Sequence, residues 1–111
     1  SEEELIEILK NFNEEKLILF LNDNKSLIYF KDRFGDNLLH IAVKNNRNIS
    51  LIEFLIENGL GLSTHINCQN RLSGSTPLHL AVIYSDINVV KLLLEKGADI
   101  NIKNIFGRTF F

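Results

Sequence analysis

The sequence has no methionine and no tryptophan, one proline, and a single cysteine, Cys68. A lone thiol excludes an intrachain disulfide framework and fits a reducing compartment, so an intracellular and most simply cytoplasmic location is expected. A basic excess is also missing: 12 Lys and Arg face 14 Asp and Glu, for a net charge of -2. With no surplus of cations to neutralise phosphates, no nucleic-acid partner is expected. No apolar run approaches the roughly 18 residues that span a bilayer, and no membrane partner is expected either. The first four residues, Ser1-Glu2-Glu3-Glu4, are acidic where a secretory leader would be basic. What the chain does hold is ordinary for a folded protein: 45% apolar and 23% charged residues in a length of 111. That is one domain's worth of core, not two. Leu, Ile and Asn together supply 46 of the positions, a bias expected of an AT-rich coding sequence.

The chain repeats itself, and repeats take precedence over local pattern. Arg33-Phe34-Gly35-Asp36-Asn37-Leu38-Leu39-His40-Ile41-Ala42-Val43 lies over Leu72-Ser73-Gly74-Ser75-Thr76-Pro77-Leu78-His79-Leu80-Ala81-Val82 with five of eleven positions identical. Downstream, Ile52–Gly59 aligns with Val90–Gly97, and a third start appears at Phe106-Gly107-Arg108-Thr109. Gly74 and Gly107 are 33 residues apart, whereas Gly35 and Gly74 are 39 apart. The six extra residues fall in connections, one in the turn 45–48 and five between Gly59 and Gly74, where a repeat array tolerates insertion.

Each unit reads as a pair of short helices. Thr76 followed by Pro77 is an N-cap and first-turn pair, since the hydroxyl accepts a free N–H and proline has none to leave unsatisfied. Leu78, Ala81 and Val82 then mark one helical face, and Val89-Val90 with Leu92-Leu93-Leu94 builds a second, nearly all-apolar helix. Gly97 stands where a helix commonly ends in the left-handed conformation. Helices are predicted over 3–11, 14–22, 38–45, 49–57, 77–84 and 88–95, with any β-pairing confined to brief contacts around the glycines. Leu5, Ile6, Ile8 and Leu9 supply the apolar stripe of the first, and Glu2, Glu3, Glu4, Glu14 and Glu15 sit at helix starts, where they complement the dipole.

This pattern resembles the ankyrin repeat. Thr76-Pro77-Leu78-His79-Leu80-Ala81 matches that family's Thr-Pro-Leu-His-x-Ala motif, and Gly97-Ala98-Asp99-Ile100-Asn101 matches its Gly-Ala-Asp-hydrophobic-Asn exit. The middle unit departs from it, with Asn37-Leu38 for Thr-Pro and Gly59-Leu60-Gly61 for Gly-Ala-Asp, so its first helix is expected to be less well capped. Counting back by one repeat lays Leu17–Leu21 over Val89–Leu93 and makes the N-terminal third a degenerate terminal repeat. The resemblance implies an all-α solenoid of stacked helix-turn-helix units with short turn fingers. It forms one domain over 1–111: a degenerate repeat over about 1–33, a repeat with a loop insertion over 34–72, the best-matching repeat over 73–105, and an incomplete one from 106. With its first helix barely begun, that last unit would leave Val82 and the leucines of 88–95 partly uncovered. A segment of a longer array, or self-association through this end, is therefore expected.

No enzyme chemistry emerges from the remaining polar residues. His40 and His79 fall at one repeat position, and the resemblance implies that each imidazole ties its turn to its helix. His65 and Cys68 would make half a zinc site, but structural zinc takes four ligands and no second pair follows. Cys68 has no evident base or electropositive setting to make it a nucleophile. Gly35, Gly74 and Gly107 stand singly at repeat turns instead of clustering as in a phosphate loop, which points to positive φ and not to nucleotide binding. No catalytic residue, metal or cofactor is expected. The insertion 60–73 is expected to be tolerated, its trimming to the 33-residue repeat length leaving the melting temperature unchanged or slightly raised.

The aromatic residues divide. Phe12, Phe20 and Phe54 lie on apolar helical faces and read as core, whereas Phe34, Tyr84 and Phe106 do not. In an ankyrin-like frame Phe34 and Phe106 share one turn position and Tyr84 closes an inner helix beside them, on the concave side that the family uses for partners. The expected partner-binding surface is Arg33, Phe34, Asp36, Lys44, Leu72, Ser75, Ile83, Tyr84, Ile105, Phe106 and Arg108. The function implied is non-catalytic binding of a protein partner, in an adaptor or targeting segment of a larger protein. The alternative is a regulatory or substrate-recruiting domain attached to a catalytic part elsewhere.

Overall fold

In the computed structural model, residues 2–11, 13–45 and 47–109 are described. Among them every regular element is helical: α1 (Glu2–Lys10), α2 (Glu14–Asp23), a 3₁₀ turn (Lys25–Tyr29), α3 (Leu38–Asn45), α4 (Ile49–Leu55), a π-type turn (Ile56–Leu60), α5 (Ser63–Ile66), α6 (Pro77–Ile83) and α7 (Ile87–Glu95). The six expected helices are all present within two residues of their predicted ends. Phe12, Phe110 and Phe111 lie outside the described residues.

The helices form two layers. α1, α3 and α6 pack side by side as an inner row, and each is backed by the helix that follows it, α2, α4 and α7. Three outer helices start on the same device: the side-chain oxygens of Asn13, Asn48 and Asp86 accept from Lys16 N, Leu51 N and Val89 N at 3.1–3.2 Å. Leu5, Leu9, Leu17, Leu39, Leu51, Leu55 and Leu93 meet in one core and expose nothing. Phe20 and Phe54 pack against that core half-buried. No unit buries its apolar side alone, so stability rests on stacking between neighbours.

The capping of the middle unit corrects the expectation of a weak start. Asn37 Oδ1 accepts from both Leu39 N, 3.0 Å, and His40 N, 3.1 Å, so α3 is capped as α6 is by Thr76. The change from hydroxyl to amide also adds a donor, and Asn37 Nδ2 donates to His65 O at 2.8 Å.

That bond reaches into the inserted segment, which is not the slack loop expected. Asn67 to Asn70 aligns with Asn101 to Asn104, so four of the five extra residues fall between Leu60 and Ile66 and the fifth in the following turn. Four residues make about one helical turn, and the chain uses them for α5. Leu60 and Ile66 are buried, and the His65 ring lies 5.1 Å from that of Tyr29. Gly59, at φ 147°, turns the chain into this segment; a β-carbon there would meet Tyr29 Oη at 3.0 Å. Trimming this segment would therefore remove packed structure.

The last repeat also leaves less uncovered than expected. Val89, Leu92 and Leu93 are buried within the chain, so the exposed large apolar residues of α7 are Ile87 and Leu94.

Candidate partner-binding face

Three turns of one design project from the stack, one before α3, one before α6 and one after α7. In each, an Asp or Asn side chain organises the loop. Asp32 Oδ1 accepts from Phe34 N and Asp36 N, Asn70 Oδ1 from Ser73 N and Ser75 N, and Asn104 Oδ1 from Phe106 N and Arg108 N, all at 2.9–3.1 Å. The backbone closes around the same residue, for Asp32 N donates to Asp36 O, Asn70 N to Ser75 O and Asn104 N to Arg108 O. Sequence reasoning missed these three residues, although Asx three or four positions before each repeat glycine was a visible signal.

The fingers are tied into a row. Arg71 N donates to Phe34 O at 2.7 Å, and Ile105 N donates to Ser73 O at 2.9 Å, which are the brief pairings expected around the glycines. Gln69 Nε2 donates to Gly74 O, 3.0 Å, and to Lys103 O, 2.9 Å, bridging the second and third fingers. Gly35 and Gly74 have φ of 77° and 65°, and each also lies against the next finger: an added β-carbon would come within 2.9 Å of Arg71 N or 3.0 Å of Ile105 N. The glycines serve both conformation and spacing.

The two inner-helix histidines, His40 and His79, each fasten one finger to the next. His40 Nδ1 accepts from Asn37 N at 3.0 Å, which leaves Nε2 to donate to Ser75 O at 2.8 Å. His79 repeats this with Thr76 N at 3.0 Å and Arg108 O at 3.3 Å. Both nitrogens of His40 are committed to the neutral ring, and burial lowers its pKa below the ordinary 6.5.

The expected surface residues divide into three groups. Phe34, Leu72, Ile105 and Phe106 are exposed at the finger tips, with Phe106 69% accessible, and Arg33 and Arg108 are exposed beside them. The Arg33 guanidinium stacks 4.9 Å from the Phe34 ring centroid. Ile83 and Tyr84 are exposed too, but at the far end of α6 from the fingers. Tyr84 packs there on Arg47, whose guanidinium lies 4.6 Å from its ring, and so does not stand beside Phe34 and Phe106 as expected.

Asp36 and Ser75 form the third group and correct the prediction, since they are only 1% and 2% accessible. The Asp36 carboxylate takes Lys44 Nζ at 2.6 Å and Asn70 Nδ2 at 2.9 Å, and Ser75 O receives His40. They build the fingers from inside. Lys44, half-buried, is held back along α3 by its bond to Asp36.

Elsewhere a cleft of about 500 Å³ opens between α2, the 3₁₀ turn and α4, lined by Ile18, Leu21, Ile28, Phe54 and their neighbours. Among the described residues no three His, Cys, Asp or Glu side chains gather as metal ligands would. None of their helices is long and apolar enough to cross a membrane.

The family profile described as ankyrin repeats, three copies, matches residues 4–104. The chain belongs to the ankyrin-repeat family. It is 36% identical over 99 residues to an ankyrin repeat protein of Fowlpox virus (strain NVSL), covering 87% of this chain and 27% of that one. It is also 36% identical over 75 residues to NF-kappa-B inhibitor alpha of Gallus gallus, covering 68% and 23%. With the 2-5A-dependent ribonuclease of Homo sapiens it shares 38% identity over 76 residues, covering 68% and 10%. The chain thus spans about a quarter or less of the length of these relatives. Ankyrin repeats are in general non-catalytic protein-interaction modules.

Proposed function

We propose that this ankyrin-repeat chain binds a protein partner through its finger row, with the exposed ends of the inner helices contributing at the margin. The observation that carries the reading is the line of exposed apolar side chains, Phe34, Leu72, Ile105 and Phe106, on turns held rigid by hydrogen bonds. Aromatic residues and arginine carry a disproportionate share of interface energy, and fixed loops lose little entropy on binding. The chain would serve as an adaptor or targeting segment. A second reading, recruitment of substrate to a catalytic part elsewhere, is favoured by the likeness to a segment of a ribonuclease.

The test is photocrosslinking. A photoreactive residue replacing Phe34, Leu72 or Phe106 should capture a protein from cell extract, in competition with excess unmodified chain. The same probe at Lys91 or Glu95 on the outer helix α7 should not. Capture only from the outer positions would refute the reading.

A further inference from the structure

We infer that the partner segment is an acidic peptide whose carboxylates alternate with apolar or aromatic side chains; this rests on the finger row being the binding face. The net charge of -2 hides a segregation. The finger segments carry Lys31, Arg33, Arg71, Lys103 and Arg108, all exposed. Their acids are Asp32 and Asp36: one organises its own turn with Oδ1, and the other is buried against Lys44 and Asn70. The remaining exposed carboxylates lie mostly elsewhere, with Glu2, Glu3 and Glu4 on α1, Glu14 and Glu15 on α2, and Glu57 after α4.

Repeat geometry sets the cations in register. Arg33 and Arg71 each follow the organising Asx residue, and Phe34, Leu72 and Phe106 come one position later. The hydrogen bond from Arg71 N to Phe34 O fastens the first two fingers to each other. Each of the first two fingers therefore sets an arginine next to an apolar residue, and the third follows its own pair, Ile105 and Phe106, with Arg108. The Arg33 guanidinium lies over the Phe34 ring, 4.9 Å from its centroid, and a guanidinium can bind a carboxylate in a bidentate fork. A segment carrying carboxylates and apolar side chains in alternation complements both features, and the field of five cations would steer its approach.

The probe is a random peptide library displayed on phage and selected on the chain at low salt. Enriched peptides should be rich in Asp and Glu next to Phe, Leu, Ile or Trp, and a synthetic copy should bind in fluorescence anisotropy with affinity that falls as salt is raised. The variants Arg33→Glu, Arg71→Glu and Arg108→Glu should each weaken it about tenfold, with circular dichroism unchanged, whereas Lys91→Glu should have little effect. If one variant loses its helical signal, Arg33→Gln and Arg108→Gln give the same comparison with less perturbation.

Neutral or basic peptides that still compete at Phe34 and Phe106 would overturn the acidic partner and leave the finger face intact. Peptides indifferent to every finger variant would overturn both. Tighter binding of oligothymidylate at the same arginines would replace the peptide with nucleic acid. Sedimentation showing that the basic fingers instead take up the acidic outer helices of a second copy would likewise refute the inference.

Discussion

Replacing Asn37 separates two contributions that the middle unit has joined. Its Oδ1 caps α3 through Leu39 N and His40 N, and its Nδ2 holds the inserted turn through His65 O. Asn37→Thr restores the residue found at Thr76 and keeps a capping oxygen while removing the amide donor. A net hydrogen bond contributes about 1 kcal/mol, so a loss of that size is expected. Asn37→Ala removes the cap as well, a further loss of about 1 kcal/mol. Urea titrations with linear extrapolation would read both, and the melting temperature should fall by about 4–8 °C for the first loss and roughly twice that for both. Deleting Leu62–His65 gives the closing leg of a cycle, because without that turn the amide has nothing to hold. Thr should then cost less in the shortened chain than in the full one, by about 1 kcal/mol. An Asn37→Thr protein as stable as the parent, or strictly additive effects, would refute the claim that residue and insertion work as a pair.

Other predictions follow from the fingers. Gly107→Ala should cost about 1 kcal/mol for its φ of 71° alone, whereas Gly74→Ala and Gly35→Ala should cost more, since their β-carbons meet the next finger; equal losses in urea titrations would contradict this. Lys44→Ala should destabilise by about 1–2 kcal/mol, less than for a fully buried pair because Lys44 is partly in water. A loss that adding salt does not change would argue against the ion pair. Because burial lowers the folded pKa of His40, the unfolded chain takes up a proton first as pH falls below about 6.5. Its contribution is complete above that value and declines from there toward the folded pKa. His40→Gln should flatten the stability profile over this range, and an unchanged slope would be contrary.

The paired helices were legible because two units agree with each other: Leu78, Ala81 and Val82 sit in the frame of Leu39, Ala42 and Val43, and the caps fall at matching places. What stayed hidden depends on partners distant in sequence. Asp36 reads locally as an exposed turn residue, and only Asn70, 34 positions away, and Lys44 reveal a buried carboxylate. Tyr84 was misplaced beside the fingers because its repeat position says nothing of Arg47 across the turns. The inserted segment looked expendable since five extra residues suggest slack, yet four of them complete a helical turn around buried Ile66. Exposed apolar finger tips were readable from spacing, whereas the cation row needed Arg71, which lies outside the positions that the glycine frame singled out.

The most direct measurement of the central claim is a quantitative affinity capture with isotope-labelled extracts, comparing three proteins verified as folded by circular dichroism. They are the parent chain, the triple variant Phe34→Ala, Leu72→Ala and Phe106→Ala, and an outer-helix control carrying Lys91→Ala and Glu95→Ala. If the finger row is the binding face, proteins retained by the parent are retained equally by the control and depleted about tenfold or more on the triple variant, as expected when hot-spot side chains are removed. Equal retention by the triple variant, or depletion confined to the control, would contradict the account.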